Sequence, residues 1–462
     1  MITRPKIKTK WYSPRLLAIA LYYSRKKKRS DLPPYIIDPY ISDIHNGISN
    51  PLFTYTGGQA IVPDENGILR RTPAGYPAVE GGAWSGTNWL PPTAGITRSI
   101  STRKGLRTIQ TADTFLGMLI EPAMTNKCTC RKSNPTDLTN VTKSGDAASV
   151  LSVVNDAAAL TAAGLSDICT SGMVYKLDNS AGVVDANATI SGSSVNTNQH
   201  VASVYARSTG DFRWGFDSAG ITLTTLFNAT AQYTRVIHDG ALDVARTSRI
   251  IAKPGSIVYF ILPQLEESAF CTSIIAPAAD TAAAQTRVAS VNSASTAGVF
   301  PSTGQDFGLY LECVATAAGQ TATLLSTRVD ADNLLSVSTT ATAIGVNLRK
   351  TATDNAASAA YTHTAAEKFQ AIIVKSAMGI SVKVREYSSG AWQAWGAWVN
   401  NETAGAKATS PIGTTYQIGA LNNLSQFAGN YPRTAIIAMP PKATLAEYQA
   451  WIEQELTLRG LI

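Results

Sequence analysis

Short apolar runs separated by polar turns recur along most of the chain. The run ISVKVREY alternates cleanly, with Ile380, Val382 and Val384 on one face, because successive side chains of a strand point to opposite faces. Similar runs follow one another from about residue 127 to the C-terminal region. Short strands joined by polar turns are typical of antiparallel sandwiches. The pattern therefore predicts an all-β protein with two antiparallel β-sandwiches in tandem.

The chain ends in the pattern of an amphipathic helix, TLAEYQAWIEQELTLRG. Thr444 and Glu447 have the spacing of a capping box, which marks the start of a helix. One face of this helix carries the apolar residues expected to be buried, namely Leu445, Tyr448, Ile452 and Leu456. A second stretch with some helical character is VNDAAALTAAGL. A short C-terminal helix is thus predicted to follow the strands.

Changes in composition divide the chain into five segments. They are an N-terminal arm (1–50), a β-rich linking segment (51–126), a first sandwich (127–276), an Ala/Thr/Ser-rich linker (277–296) and a second sandwich with the C-terminal helix (297–462). In the linking segment, Asp64-Glu65-Asn66-Gly67 is a turn signal between two apolar runs. It predicts a hairpin.

The basic residues are concentrated at the N-terminus. The chain has 39 Lys and Arg against 32 Asp and Glu, a formal net charge of +7, although only 15% of its residues are charged. Ten of the basic residues, and no acidic ones, lie in residues 1–30. The remainder therefore has 29 basic against 32 acidic residues, or −3. The body of the protein is not predicted to bind nucleic acid.

An apolar stretch, LLAIALYY, lies inside this basic region at residues 16–23. SRKKKRS follows it where a signal peptide would have a small-residue cleavage site, and the stretch is far shorter than the roughly 20 residues that span a bilayer. We therefore expect an uncleaved anchoring arm that is either a disordered tail or ordered against an acidic partner surface. The candidate anchoring residues are Trp11, Arg15, Arg25, Lys26, Lys27, Lys28 and Arg29.

The adjacent Glu266 and Glu267 raise the question of catalysis. Neighbouring side chains of a strand point to opposite faces, so these two cannot flank one substrate as a glycosidase pair does across roughly 5–10 Å. The sequence contains no nucleophile elbow, zinc-protease, Walker or dinucleotide motif. The interpretation is a protein that is not an enzyme, in which the glutamates mark the end of a domain.

Metal-ligating residues are scattered. The Cys128-Thr-Cys130 pair has no second ligand pair nearby in sequence, whereas a zinc site needs four converging ligands. Asp330 and Asp332 could face a calcium ion, although a turn between strands explains them equally well. No metal or cofactor is predicted.

Trp392, Trp395 and Trp398 recur every three residues, which does not match the strand period of two. A bulge or loop is therefore expected to expose at least one of them. Exposed aromatic rings can stack on sugars, and Trp is favoured at binding surfaces. The alternative is a tryptophan-lined core edge or a subunit interface. The candidate glycan-binding residues are these three and Trp214.

Four stretches, in this order, resemble a recurrent type of tailed-bacteriophage structural protein. They are FTYTGGQAIVPDENGILRRTPAGYPAVEGG, LGMLIEPAMTN, HVASVYARSTGDFRWGFD and LPQLEESAFCTSIIAPAADTAAAQTRVAS. Met124, Ser268 and Ile274 depart locally from that type, which has an arginine, a glycine and an aromatic residue there. The resemblance covers residues 50–462. It implies a carbohydrate-binding-module-like jelly roll that ends at residues 263–277, then a concanavalin A or laminin-G-like sandwich.

The resemblance also implies a role as a virion appendage: a tail fibre, spike or head fibre. In that role the chains would form a homo-oligomer, with a trimer favoured, and the sandwiches would bind host-surface polysaccharide. The basic arm, which the resemblance does not cover, is expected from its charge to bind capsid, portal or tail proteins. The alternative is a capsid decoration or head–tail joining protein with no receptor role. A depolymerase is disfavoured because the acidic pair is missing. The expected location is the virion, after synthesis in the host cytoplasm without a signal peptide.

Overall fold

The computed structural model of the chain describes most residues beyond position 116 and shorter pieces before it. The described residues are 35–37, 53–56, 59–72, 78–81, 83–84, 89–90, 100–102, 105–107, 117–192, 199–218, 221–240, 245–268, 270–276, 278–295, 306–315, 318–362, 367–407, 415–419, 427–458 and 461–462. All seven candidate anchoring residues, from Trp11 to Arg29, lie outside these ranges.

Short strands occupy the described residues before position 127. They are β1 (Tyr35–Ile37), β2 (Phe53–Thr56), β3 (Ile61–Pro63), β4 (Leu69–Arg71), β5 (Ala78–Glu80), β6 (Ala83–Trp84), β7 (Trp89–Leu90), β8 (Ile100–Thr102), β9 (Gly105–Arg107), β10 (Gly117–Ile120) and β11 (Met124–Asn126). β3 and β4 form the predicted hairpin. Gly67 closes its turn with φ of +76°, a conformation that glycine adopts without steric cost.

The first sandwich contains ten strands and a short helix. They are β12 (Val141–Gly145), β13 (Val150–Asn155), α1 (Ala157–Ala162), β14 (Met173–Asp178), β15 (Ala186–Ser191), β16 (His200–Ser208), β17 (Phe212–Ser218), β18 (Ile221–Phe227), β19 (Thr230–Gly240), β20 (Ala245–Ala252) and β21 (Ile257–Glu266). The two antiparallel sheets have the orders β12-β15-β20-β17-β18 and β13-β14-β21-β16-β19. Their facing apolar side chains, including Tyr175, Phe212, Phe216 and Phe260, form one core.

The remaining elements connect to and build the second sandwich. They are β22 (Gln285–Arg287), β23 (Val291–Ser295), β24 (Phe307–Ala315), β25 (Ala322–Asp330), β26 (Asn333–Thr339), β27 (Ala343–Lys350), β28 (Thr353–Ala360), β29 (Lys368–Ser376), β30 (Gly379–Ser388), β31 (Ala391–Trp392), β32 (Val399–Asn401), α2 (Ala404–Lys407), β33 (Thr415–Ile418), β34 (Gly429–Ala438) and α3 (Leu445–Leu458). One sheet has the order β31-β30-β29-β24-β34-β10-β5, with β1 beside β34 and β32 beside β30. The other has the order β2-β23-β33-β25-β26-β27-β28. The prediction of an all-β fold with two antiparallel sandwiches and a C-terminal helix is confirmed.

Strands from the start of the chain complete the second sandwich, which corrects the predicted segment boundaries. Tyr35 of β1 pairs with Ile436, and Met118 of β10 pairs with Tyr431, so both strands lie against β34. β2 pairs with β23 in the opposite sheet. Residues 1–50 are therefore not only an arm, and residues 51–126 are not only a link. These strands are too short to show a period that would assign them to a partner.

The predicted linker, residues 277–296, is also more structured than its composition suggested. β22 pairs with β11, and β23 lies between β2 and β33. The Asp280 carboxylate accepts hydrogen bonds from the backbone N–H groups of Lys132, Ser133 and Asn134 at 2.6–2.8 Å. This stretch is therefore bonded to both sandwiches. The predicted linker thus contains two short strands, because backbone pairing organises an Ala/Thr/Ser-rich sequence.

The C-terminal helix α3 forms as its capping box predicted. The Glu447 carboxylate accepts the N–H of Thr444 at 3.2 Å, and the N–H of Glu447 donates to Thr444 Oγ1 at 3.2 Å. The four apolar residues predicted to be buried on this helix are all buried. They pack against the outer face of the sheet that contains β24, β29 and β34. Gly308 of β24 allows this close approach, since a Cβ there would overlap Ile452. No helix among the described residues is long and apolar enough to cross a membrane.

A buried polar cluster, which we call the polar junction, joins the segments that enter and leave the first sandwich. It consists of Glu121, Asn126, Gln264, Glu266, Ser273 and Arg287. The Glu121 carboxylate accepts the N–H of Ser273 at 2.8 Å and pairs with Arg287 Nη1 at 2.7 Å. Both charged side chains are almost fully buried. Asn126 donates to the carbonyls of Pro263 and Ile275 at 3.0 and 3.2 Å.

The adjacent glutamates have different environments, as the strand geometry predicted. Glu266 is fully buried in the junction and accepts the N–H of Thr272 at 3.1 Å and the hydroxyl of the same residue. Glu267 is partly exposed and lies 3.6 Å from the Lys127 ammonium. Burial raises the pKa of the Glu266 carboxyl above its ordinary value. The pair ends the first sandwich and does not converge on one substrate.

This raised pKa predicts how stability depends on pH. A group whose pKa is higher in the folded state stabilises it fully below the unfolded pKa, about 4.3 for Glu, and this contribution is lost as the pH rises through the folded value. Glu266→Gln is neutral at every pH, so its stability relative to the wild type should increase as the pH rises above the unfolded-state pKa of Glu. Urea unfolding at several pH values measures this, with Glu267→Gln as the exposed control. A difference that stays constant with pH would contradict a raised folded-state pKa.

Candidate binding site on the second sandwich

The outer face of β29 and β30 is divided into an apolar and a polar half. On β30, Val382 and Val384 point into the core, and the intervening Lys383 and Arg385 therefore point outward. On β29, Ile372 and Val374 lie on the same outer face beneath α3. The outward residues nearer the other end of the strands are polar. Helix α3 thus covers the apolar half and leaves the polar half to a different segment.

That covering segment is residues 391–398, which we call the tryptophan segment. β31 pairs with the end of β30, but the chain then leaves the ladder and rejoins it only at β32. Between them, the N–H groups of Gln393 and Gly396 donate to the carbonyls of Glu386 and Val384 at 2.9 and 3.0 Å. The segment therefore follows β30 without regular strand geometry, as the three-residue spacing of its tryptophans predicted.

The three tryptophans and the outward cations of β30 alternate along this edge. Arg385 lies between two rings, with Cζ 5.2 Å from the Trp392 centroid and 4.4 Å from that of Trp395. The Lys383 ammonium lies 4.8 Å from the Trp395 centroid and 5.0 Å from that of Trp398. Cations at these distances are attracted to the negative faces of aromatic rings. All three indole rings are held in place while remaining partly exposed.

Helix α3 fixes one end of the segment through Glu453. Its Oε1 accepts the Trp398 indole N–H at 2.7 Å and the Lys383 ammonium at 2.6 Å. Burial lowers the pKa of Lys383 below its ordinary value, while Glu453 opposes this shift. Lys383 therefore forms an ion pair within the protein, with Glu453.

A row of side chains across three strands fixes the other end. Glu312 of β24 accepts the Gln370 amide N–H at 3.1 Å and the Tyr310 hydroxyl at 3.0 Å, and it pairs with the Lys368 ammonium at 2.9 Å. The oxygen of the Gln370 amide accepts a hydrogen bond from Arg385 Nε at 2.7 Å. Because Glu312 determines which way the amide points, it also orients the guanidinium.

This arrangement is suited to binding a sugar. It offers rigid aromatic rings, a fixed guanidinium and hydrogen-bonding groups on one solvent-facing edge. The two carboxylates beside the segment, Glu312 and Glu453, are each engaged by a lysine.

Within the described residues, no group of three or more His, Cys, Asp or Glu side chains could hold a metal ion. Asp330 accepts the N–H of Asp332 at 2.8 Å in a turn.

The sequence matches no family model and no curated protein. Weak structural matches include a mutant of a GH54 α-L-arabinofuranosidase (9% identity, 55% of this chain and 60% of that chain, TM-score 0.25). Others are domains LG4-5 of the mouse laminin α1 chain (10%, 53% and 82%, 0.21) and the CBM22-1-CBM22-2 tandem domain of Paenibacillus barcinonensis Xyn10C (8%, 72% and 100%, 0.23). The chain spans 38%, 30% and 60% of the length of three matched structures. Such TM-scores are too low to carry an argument about this protein.

Trp214 does not belong to the candidate site, which corrects the sequence prediction. Its side chain is 0% exposed and lies in the core of the first sandwich. The alternation of Phe212, Trp214 and Phe216 on one face of β17 is the signal that could have placed it there. The same alternation in ISVKVREY could have placed Lys383 and Arg385 on one outer face. The contribution of Gln370 and Glu312 depends on strand pairing and has no local signal.

Proposed function

We propose that this protein is a non-enzymatic structural protein of a bacteriophage particle that binds host-surface polysaccharide through the tryptophan segment. The observation that carries the glycan-binding role is the row of three partly exposed indole rings, held at one sheet edge by cations and hydrogen bonds. Aromatic rings fixed in this way stack on sugars with little loss of conformational freedom.

The place of the protein on a phage particle is supported by the ordered sequence stretches that resemble phage structural proteins. In this proposal the basic arm, residues 1–30, binds an acidic surface of a capsid, portal or tail protein. The chains form a homo-oligomer, and a trimer would combine several weak glycan contacts into a firm attachment.

Alanine substitutions at Trp392 and Trp395 test the binding role. Affinity electrophoresis in gels containing dextran, xylan, polygalacturonate or hyaluronan should show retardation of the wild type, and each variant should bind about 10-fold more weakly or worse. Trp451→Ala is the control, because Trp451 packs against the same apolar cluster as Trp395 but lies on α3, outside the tryptophan segment. Normal retardation of both segment variants would place the site elsewhere. Failure of the wild type to bind any of the polysaccharides would favour the decoration or joining role.

A further inference from the structure

One cation beside the tryptophan segment, Arg385 of β30, forms no direct ion pair with a carboxylate of the described residues. Lys368 pairs with Glu312, and Lys383 pairs with Glu453, at 2.9 and 2.6 Å. Arg385 instead donates its Nε to the neutral amide of Gln370. Within the part of the chain that the structure describes, no carboxylate lies within ion-pair distance of Arg385.

The guanidinium of Arg385 is also held in a fixed orientation. Two indole rings of the segment, Trp392 and Trp395, lie beside it and restrict its movement. Gln370 is 2% exposed and Glu312 is 4% exposed, so the row that orients Nε is itself buried and rigid. A positive group that is oriented in this way and that no carboxylate contacts directly is suited to binding an external anion.

We propose that the segment is selective for acidic polysaccharides, with Arg385 binding a carboxylate or sulfate group on the sugar. The guanidinium nitrogens other than Nε are the donors for this group, because a planar guanidinium matches carboxylate and sulfate oxygens with two parallel hydrogen bonds. The sugar ring stacks on the neighbouring indoles at the same time. This inference rests on the proposed glycan-binding function and adds the chemical class of the ligand to it.

Matched polysaccharides test the selectivity with the full-length protein. Polygalacturonate is compared with its carboxyl-reduced product, and dextran sulfate with dextran, by titration followed through tryptophan fluorescence. The wild type should bind at least one acidic member about 10- to 100-fold more tightly than its neutral counterpart, the range expected for a charged hydrogen bond. The pair that shows the difference identifies the anionic group as carboxylate or sulfate.

Arg385→Met should remove this difference, because it should lower the affinity for the acidic member far more than the affinity for the neutral member. Arg385→Lys, which keeps the charge but loses the planar fork, should retain only part of it. The control is Arg349→Met, since Arg349 is an exposed arginine of the same sandwich already paired with Asp354 at 2.7 Å. Urea unfolding of each variant shows whether its fold is retained.

Three outcomes would overturn the inference. Equal binding of acidic and neutral members by the wild type would remove the selectivity but keep the proposed glycan-binding function. An acidic preference that survives in Arg385→Met would place the anion at another cation. Binding of oligo(dT) more tightly than any polysaccharide, with loss in Arg385→Met, would make the ligand a single-stranded nucleic acid. Absence of all polysaccharide binding would instead count against the proposed function itself.

Discussion

Glu121→Ala is expected to lower the free energy of unfolding by about 3–5 kcal/mol, since removing one partner of a buried ion pair leaves the other as an unpaired buried charge. The partner is Arg287, 3% exposed, whose Nη1 lies 2.7 Å from the Glu121 carboxylate. The substitution also removes the acceptor for the N–H of Ser273. Urea-induced unfolding of the purified variant measures the loss.

Two further variants make the Glu121 result specific. Asp185→Ala removes the partner of Lys253 in an exposed pair at 2.8 Å and should cost about 1 kcal/mol or less. Glu121→Leu combined with Arg287→Met replaces both buried charges and should recover much of the lost stability. A loss at Glu121 no larger than that at Asp185 would show that the polar junction does not depend on this ion pair.

Trp214→Ala is expected to lower the free energy of unfolding by about 3–5 kcal/mol, as large-to-small substitutions of buried aromatic residues do. The side chain is fully buried among the apolar residues between the two sheets of the first sandwich. Among the described residues, its indole N–H has no hydrogen-bond partner. Trp214→Phe keeps most of the packing and removes that buried donor, so its loss should be much smaller.

Measurement of glycan binding distinguishes a structural role of Trp214 in the core from the glycan-binding role that the sequence predicted. Trp214→Phe should bind polysaccharide like the wild type, whereas Trp392→Ala should not. If Trp214→Ala kept its stability and lost only binding, the residue would have to be accessible to the ligand, contrary to its position in the core.

Local patterns predicted the features that depend on neighbouring residues. The capping box of α3, its buried stripe and the β3–β4 hairpin are set by contacts within a few positions. The tryptophan spacing predicted irregular backbone because period three conflicts with a strand. The prediction that Trp214 binds glycan was wrong, because it rested on residue type and not on the alternation of apolar residues along β17.

Features that depend on distant pairing could not be predicted. β1, β5 and β10 have three or four residues each, so they carry too little periodicity to name a partner. The orienting role of Glu312 and Gln370 arises only when β24 and β29 lie side by side. Two of the four stretches that resemble phage proteins meet in the polar junction: one contains Glu121, and the other contains Glu266 and Arg287. These stretches therefore indicate how the segments entering and leaving the first sandwich are joined. They do not indicate what the protein binds.

The pairing of β1 and β10 with β34 has a consequence for how the protein is made. β34 comes far later in the sequence than β1 and β10, so these two strands lack this neighbour until β34 has left the ribosome. The first sandwich, whose strands are contiguous in sequence, is expected to fold while the chain is still growing. The second has very long-range contacts and is expected to close slowly, only after β34 has been made. During that interval the unpaired strand edges can join those of another chain, so high expression should favour aggregation.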